Sequence, residues 1–323
     1  MLILSAREQK NLIDMNEVMD CVAQALNEFS ASRTETPIRL SLPFGLANTG
    51  LVMPSVAEEL QTMGVKYVTV VPDNKKTGKT IQGVVLLSDI ETGEPLALLE
   101  GSFLTLIRTG ALSGVATKYF ARENAKVLGV IGTGEQAKGL CEAVLAARDI
   151  EEIHLFNRSD SKAKEFAQFL EEKFKVETVL CDNPNEVVRK ADILVTATSS
   201  TIPVFTEALK PGTHVNAVGS FRPMMQELPS SAIASAHKVI VEAKDAALEE
   251  TGDLHVPIQE GVFSENGIHA ELGKVVSGEM SGRENDEEIT IFKSVGLAIA
   301  DIVVAKYLYD KAIANKAGVH VEL

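Results

Sequence analysis

The chain contains no tryptophan, and its aromatic content is only 5%. So few rings do not build a surface on which unpaired bases stack. Basic residues are in deficit too: 31 lysines and arginines face 45 aspartates and glutamates, a formal charge of −14. A surface with that balance does not neutralise a phosphate backbone, which excludes a nucleic-acid partner. It leaves room for an anionic small ligand, because a local basic pocket fits within an acidic protein. Cysteine occurs three times, at Cys21, Cys141 and Cys181, far apart and in no metal-ligand spacing. That usage predicts reduced thiols in a cytoplasmic protein rather than a disulfide framework. The six histidines, His154, His214, His237, His255, His269 and His320, also lack metal-ligand spacing, so no metal is expected. No apolar run reaches the length needed to span a bilayer, and the N-terminus lacks the charge and apolar pattern of a signal peptide; no membrane partner is expected.

What the sequence does contain is ordinary globular composition, with 45% hydrophobic and 24% charged residues over 323 positions. The length sets a prior of two domains. In the first third, Val18, Val22, Leu26 and Phe29 recur at helical spacing within Asn16–Ser30. Strand-like runs follow at Ile38–Leu42, Leu51–Met53, Val65–Val71 and Gly83–Asp89. The turn Glu91–Pro95 then leads to Leu96–Leu99. These read as an antiparallel sheet with helices. Arg108–Phe120 reads as a helix.

The middle changes character. Apolar runs recur at Val127–Ile131, Ile153–Phe156, Val176–Leu180, Ile193–Ala197, His214–Val218 and Val239–Val241, with helical patterns between several of them. Strands alternating with helices predict a doubly wound parallel sheet of the Rossmann type. Residues 250–290 read as loops and short helices, with Glu249, Glu250 and Asp253 in a solvated acidic turn and His269 in a loop. Ile291–Tyr309 reads as one helix, apolar on most sides and broken by Asp301. Such a helix is buried against the first third or in a subunit interface.

The strongest local motif is Gly132-Thr133-Gly134-Glu135-Gln136-Ala137, directly after a strand and directly before a helix. Gly132 permits the tight turn, Gly134 admits the pyrophosphate close to the backbone, and Ala137 lets helix and strand pack closely. The helix N-terminus then meets the phosphate charge. The second strand ends at Phe156-Asn157-Arg158-Ser159. An acid here would receive a ribose hydroxyl and repel a 2′-phosphate. Asn157, Arg158 and Ser159 instead favour NADPH, with NADH as the second candidate.

Three cations in the first third stand out. Lys66 lies inside an apolar strand, where an unpaired charge is costly. Arg39 falls in a strand after Pro37, and Arg108 opens a helical stretch. On separate elements, the three can converge on one carboxylate.

Several motifs together resemble the ornithine cyclodeaminase and mu-crystallin family. They are Leu51-Val-Met53-Pro54, Gly64-Val-Lys66, Thr69-Val-Val-Pro72-Asp73-Asn74, Ile107-Arg108-Thr109-Gly110-Ala111 and the glycine loop. His214-Val-Asn216-Ala-Val218-Gly219-Ser220, Phe292-Lys293-Ser294-Val295-Gly296 and Asp301 complete the set. The resemblance implies a dinucleotide domain, residues 119–295, inserted in an α+β substrate-binding and dimerisation domain, residues 1–118 plus 296–323. It implies a homodimer. It places Arg39, Lys66 and Arg108 on the substrate carboxylate, with Met53 lining the pocket. Thr109, Thr198, Val218 and Gly219 join Gly132–Ala137 and Asn157–Ser159 in the cofactor-binding set.

One position departs from part of the family. Cyclodeaminases and alanine dehydrogenases place a catalytic aspartate after the fifth strand, where this chain has Phe221 in Gly219-Ser-Phe-Arg-Pro223. Gly219-Ser-Phe-Arg-Pro223 with Gln226-Glu-Leu-Pro229 resembles the family's ketimine reductases instead, and Phe156-Asn-Arg-Ser159 resembles its NADPH-using reductases. The implied reaction is reduction of a cyclic imino acid, Δ1-pyrroline-2-carboxylate, to L-proline, with the six-membered homologue giving pipecolate. Lys66 is then either a carboxylate anchor or the proton donor, and Phe221 lies beside the ring. An NAD-linked ornithine cyclodeaminase or amino-acid dehydrogenase, and a non-catalytic NADP-binding protein like mu-crystallin, are the alternatives.

Overall fold

Period-two alternation in the first third becomes a twisted sheet. The computed structural model describes residues 1–72, 74 and 80–322; Asp73 of the matched motif lies outside these. Among the described residues this sheet has seven strands. Its order is Val319–His320, Leu2–Leu4, Pro95–Glu100, Ile81–Ser88, Thr62–Val70, Asn48–Ala57 and Leu40–Phe44. Neighbours are antiparallel except Leu2–Leu4 with Pro95–Glu100. Along Asn48–Ala57, Leu51, Met53, Ser55 and Ala57 are buried while Val52, Pro54 and Val56 are more exposed. Two helices, Met15–Ser30 and Ala298–Asn315, pack on each other, and the second also packs on the strands of this sheet.

Contacts group Met1–Arg108 and Leu297–Leu323 into one unit, and Thr109–Gly296 into a second. The first junction falls earlier than residue 118, where the sequence reading put it. It lies inside a single helix, Gly101–Phe120, which starts well before Arg108. Arg108 is therefore mid-helix and does not open one. The amphipathic signal misses the first turns because this helix is buried on nearly all sides, so no polar stripe marks its start.

The second unit is the doubly wound sheet. Among the described residues it has eight strands, all parallel to their neighbours. From one edge the order is Glu177–Leu180, Glu152–Phe156, Val127–Ile131, Ile193–Thr196, His214–Ala217, Thr290–Lys293, Lys238–Val241 and Ile268–Glu271. The chain order reverses between Val127–Ile131 and Ile193–Thr196. That is the switch point at which such sheets open a crevice at their carboxyl ends.

The sequence predicts neither Leu2–Leu4 nor Val319–His320 in the first sheet, nor two strands of this one. Thr290–Lys293 lies in the middle of this sheet, so the helix read over Ile291–Tyr309 is a strand followed by the helix Ala298–Asn315. A short apolar run does not distinguish a buried strand from a buried helix. His269 belongs to strand Ile268–Glu271, and its Nε2 lies 3.0 Å from the Ser281 carbonyl. No helix of the described residues is long and apolar enough to cross a membrane, and no cluster among them is suited to a metal ion.

Candidate active site

In the first unit, Lys66 lies on the buried face of strand Thr62–Val70, opposite Met53 on one neighbouring strand and Val85 on the other. A lysine only 2% exposed must find a counter-charge. Helix Ala298–Asn315 supplies it: Lys66 Nζ donates to Asp301 Oδ1 at 2.7 Å. Arg108 Nε donates to the same oxygen at 3.0 Å. Asp301 is fully buried, and its Oδ2 has no hydrogen-bond partner among the described residues. The polar residue that broke the helical pattern is thus the hub of the cluster, a role that its position in the sequence did not indicate.

Two buried cations on one carboxylate leave an excess of positive charge, which favours a second anion. Burial pushes the Lys66 ammonium down to about 8; Asp301 opposes this, while the charges of Arg108 and Arg39 add to it. Arg39 is half-buried and lies just before strand Leu40–Phe44, so it is close to the sheet edge and outside the strand proper. Met53 is buried with Leu51, Val68 and Ala298, an apolar patch on the face that carries Lys66. The first unit therefore brings Lys66, Arg108, Met53 and the Arg39 charge together.

In the second unit, Gly132 takes φ +96°, a conformation that favours glycine, and an added Cβ would meet Ala197 and Thr198. Gly134 caps helix Glu135–Ala147 without a side-chain hydrogen bond, and open space surrounds its missing Cβ. The buried Thr133 Oγ1 and Gln136 Oε1 have no hydrogen-bond partners among the described residues. Free helix N–H groups, orphaned polar atoms and an open approach fit a dinucleotide pyrophosphate. Thr109 and Ala137 are buried, Glu135 is exposed and bonded to Lys138, and Gly110 packs so closely on the Gly139 backbone that a Cβ would overlap it.

At the end of strand Glu152–Phe156, the Asn157 amide donates to the Ser159 carbonyl at 3.1 Å. Arg158 is exposed and has no ion-pair partner among the described residues. Thr198, Val218 and Gly219 follow the two strands on the other side of the switch point, and Phe221 is half-buried with the Arg222 guanidinium 5.6 Å from its ring centre.

Asp253 corrects an expectation. It is fully buried, not solvated, and ion-pairs with the equally buried Lys293 at 3.0 Å. Glu227, in the motif Gln226-Glu-Leu-Pro229, is also fully buried, which the motif did not indicate. A charged residue beside glycines and prolines gives no sign of burial until the chain is folded around it.

The sequence profile of the ornithine cyclodeaminase/mu-crystallin family matches residues 1–316. A Δ1-pyrroline-2-carboxylate reductase of Bacillus cereus is 65% identical over 324 residues, covering 100% of both chains. The solved structure of the Thermococcus litoralis Δ1-pyrroline-2-carboxylate reductase, in complex with NADH and L-proline, has a TM-score of 0.96. It is 40% identical and covers 99% of this chain and 100% of that one. An archaeal alanine dehydrogenase dimer with bound NAD has a TM-score of 0.92 at 34% identity, covering 100% of this chain and 99% of that one. With motifs, fold and full-length similarity in agreement, the chain belongs to the ornithine cyclodeaminase/mu-crystallin family.

Proposed function

We propose that this protein reduces Δ1-pyrroline-2-carboxylate to L-proline with a nicotinamide cofactor. The observation that carries the reading is the buried pair of cations, Lys66 and Arg108, sharing Asp301, with Phe221 where the deaminating relatives place an acid. The 65% identity to a reductase of that substrate supports it over the full chain. Arg108 and Arg39 hold the imino acid's carboxylate, the former as a fixed fork close to Lys66. Lys66 adds its charge to that anion and carries at Nζ the proton that the ring nitrogen takes up as C=N becomes CH–NH. A lowered lysine pKa makes it a better donor near neutrality. Met53 gives the ring apolar surroundings, and Phe221 offers no base to an amine. The cofactor, when bound, supplies the hydride.

In this reading the dinucleotide is held by Thr109, the loop Gly132–Ala137, Asn157, Arg158 and Ser159, and the strand ends at Thr198, Val218 and Gly219. NADPH is the preferred form. The Thermococcus litoralis enzyme is in complex with NADH, so the preference rests on the free Arg158 and the lack of an acid at the strand end. Arg158→Ala is expected to raise the KM for NADPH about ten- to a hundredfold, the loss of one charge-assisted contact, and to leave that for NADH nearly unchanged. Equal use of both cofactors by the wild type would overturn the preference.

The protein is further proposed to be a cytoplasmic homodimer. Its three cysteines are free, as in a reducing compartment. The sheet of the first unit has one face turned to Lys66 and Met53. The register aligns Leu40, Val52, Tyr67 and Val84 on the other. On that second face Leu40, Leu42, Phe44, Tyr67 and Val84 are 38–58% exposed. A continuous apolar sheet face of this kind marks an interface, and a two-fold pair is the commonest solution. Helix Ala298–Asn315, the other candidate from the sequence, is largely buried within its own unit. Sedimentation at micromolar concentration is expected to give twice the chain mass, and Tyr67→Glu to shift it toward one. A wild-type monomer would overturn the dimer.

A further inference from the structure

Two buried acids of the second unit, Glu227 and Asp253, have no part in the proposed reaction, yet they lie under the loops assigned to the cofactor. Strands Ile193–Thr196 and His214–Ala217 are neighbours in the sheet. Beyond their carboxyl ends both chains pass over the Glu227 side chain. Its Oε1 accepts from the Thr198 amide at 2.6 Å, and its Oε2 from the Gly219 amide at 2.7 Å and the Thr196 hydroxyl at 3.1 Å. A Cβ on Gly219 would overlap the Thr198 backbone and the Glu227 carboxylate, so the two loops are in close contact around it.

Glu227 is itself fixed. Its amide and that of Leu228 donate to Asp253 Oδ1 at 2.6 and 2.9 Å, and Asp253 Oδ2 faces Lys293 Nζ at 3.0 Å. The Thr251 hydroxyl accepts from the Asp253 amide and shares a 2.6 Å bond with Ser220 Oγ, beside Gly219. Glu227, Asp253 and Lys293 are all fully buried. Burial and Asp253 push the Glu227 carboxyl up, while Lys293 and the bonds from Thr198 oppose this. Of the three bonds to the carboxylate, two restrain the backbone at Thr198 and Gly219.

We infer that Glu227 is a positioning residue that fixes the loops at Thr198 and Gly219 for the nicotinamide half of the dinucleotide. In a doubly wound sheet a dinucleotide lies across the switch point, one mononucleotide on each side. The glycine loop and Asn157–Ser159 lie with the adenosine side. Thr198 and Gly219 follow the strands of the opposite side. This inference rests on the dinucleotide reading. It adds that one side-chain carboxylate, remote from the glycine motif, sets affinity for half of the cofactor.

The test is direct binding, followed by fluorescence titration of NADH and of NADPH and by competition with ADP-ribose, which lacks the nicotinamide. Glu227→Gln retains the size but presents an N–H to one of the two backbone N–H groups. It is expected to weaken NADH and NADPH at least tenfold and to leave ADP-ribose within twofold of wild type. The KM for the imino acid at saturating cofactor should stay within twofold, since Lys66 and Arg108 are not altered. Thr196→Val removes one bond to the same carboxylate without touching either amide, and should lower Tm without a change in cofactor affinity. If Glu227→Gln does not fold, Glu227→Asp, too short to hold both amides, takes its place with the same expected pattern. Equal loss of NADH and ADP-ribose, or no loss of either, overturns the inference. A wild-type protein that binds neither nicotinamide cofactor overturns the dinucleotide reading instead.

Discussion

Lys66→Met is expected to lower kcat/KM for the cyclic imino acid by on the order of 10³-fold or more. Two losses combine. Removing a charged partner of the carboxylate costs about 1.5–3 kcal/mol, which appears mainly in KM. Removing a positioned general acid costs roughly 10²–10⁴-fold, which appears in kcat. Steady-state kinetics separate the two: a rise in KM with kcat unchanged would make Lys66 an anchor only. The pH profile adds a second reading. In the proposed reaction the protonated lysine is the competent form, and its pKa is lowered to about 8 by burial against the opposing pull of Asp301, with Arg108 and Arg39 adding to the fall. Wild-type kcat/KM should therefore hold below about pH 8 and decline above it, as the proton is lost. That limb should vanish in Lys66→Met. An unchanged limb in the variant would assign it to another group.

Asp301→Asn is expected to cost the most stability. Breaking a buried pair by removing one partner typically costs about 3–5 kcal/mol, because the remaining charge is left uncompensated. Here two charges are left, Lys66 at 2% and Arg108 at 6% exposure, both within hydrogen-bond reach of the oxygen that becomes neutral. A fall in Tm on the order of 10 °C is expected by calorimetry. With its acid gone, Lys66 is faced by Arg108 and Arg39 alone, so its pKa falls further and the alkaline limb of kcat/KM moves to lower pH. The sign follows from removing a contribution that raises the pKa. A Tm within about 2 °C of wild type would mean that the cluster is hydrated and screened rather than buried.

These two substitutions also show where sequence reading succeeded and where it did not. The glycine loop was legible because its chemistry is local. A strand, a tight turn at Gly132 and a helix N-terminus at Gly134 occupy consecutive residues, and the same few residues carry both the fold signal and the proposed phosphate site. Lys66 was legible as an anomaly, a charge in an apolar strand, but its partner was not. Asp301 is 235 residues away along the chain, in a helix whose burial on most sides erased its pattern. Strand Thr290–Lys293 was lost for a related reason: a central strand buried on both faces shows no alternation.

By itself the sequence determined the class of fold, the place of the glycine loop between strand and helix, the cations available to a carboxylate and the absence of an acid at Phe221. All of these depend on residue type, local spacing or family motif. Only the tertiary structure decided which charges meet. The Lys66–Asp301–Arg108 cluster and the Glu227–Asp253–Lys293 network join residues far apart in the chain. Their energies come from burial, since a carboxylate in water and the same carboxylate facing a lysine in the core are written with the same letter. Desolvation, which sets both the cost of those charges and the pKa of Lys66, exists only once the chain has closed around them.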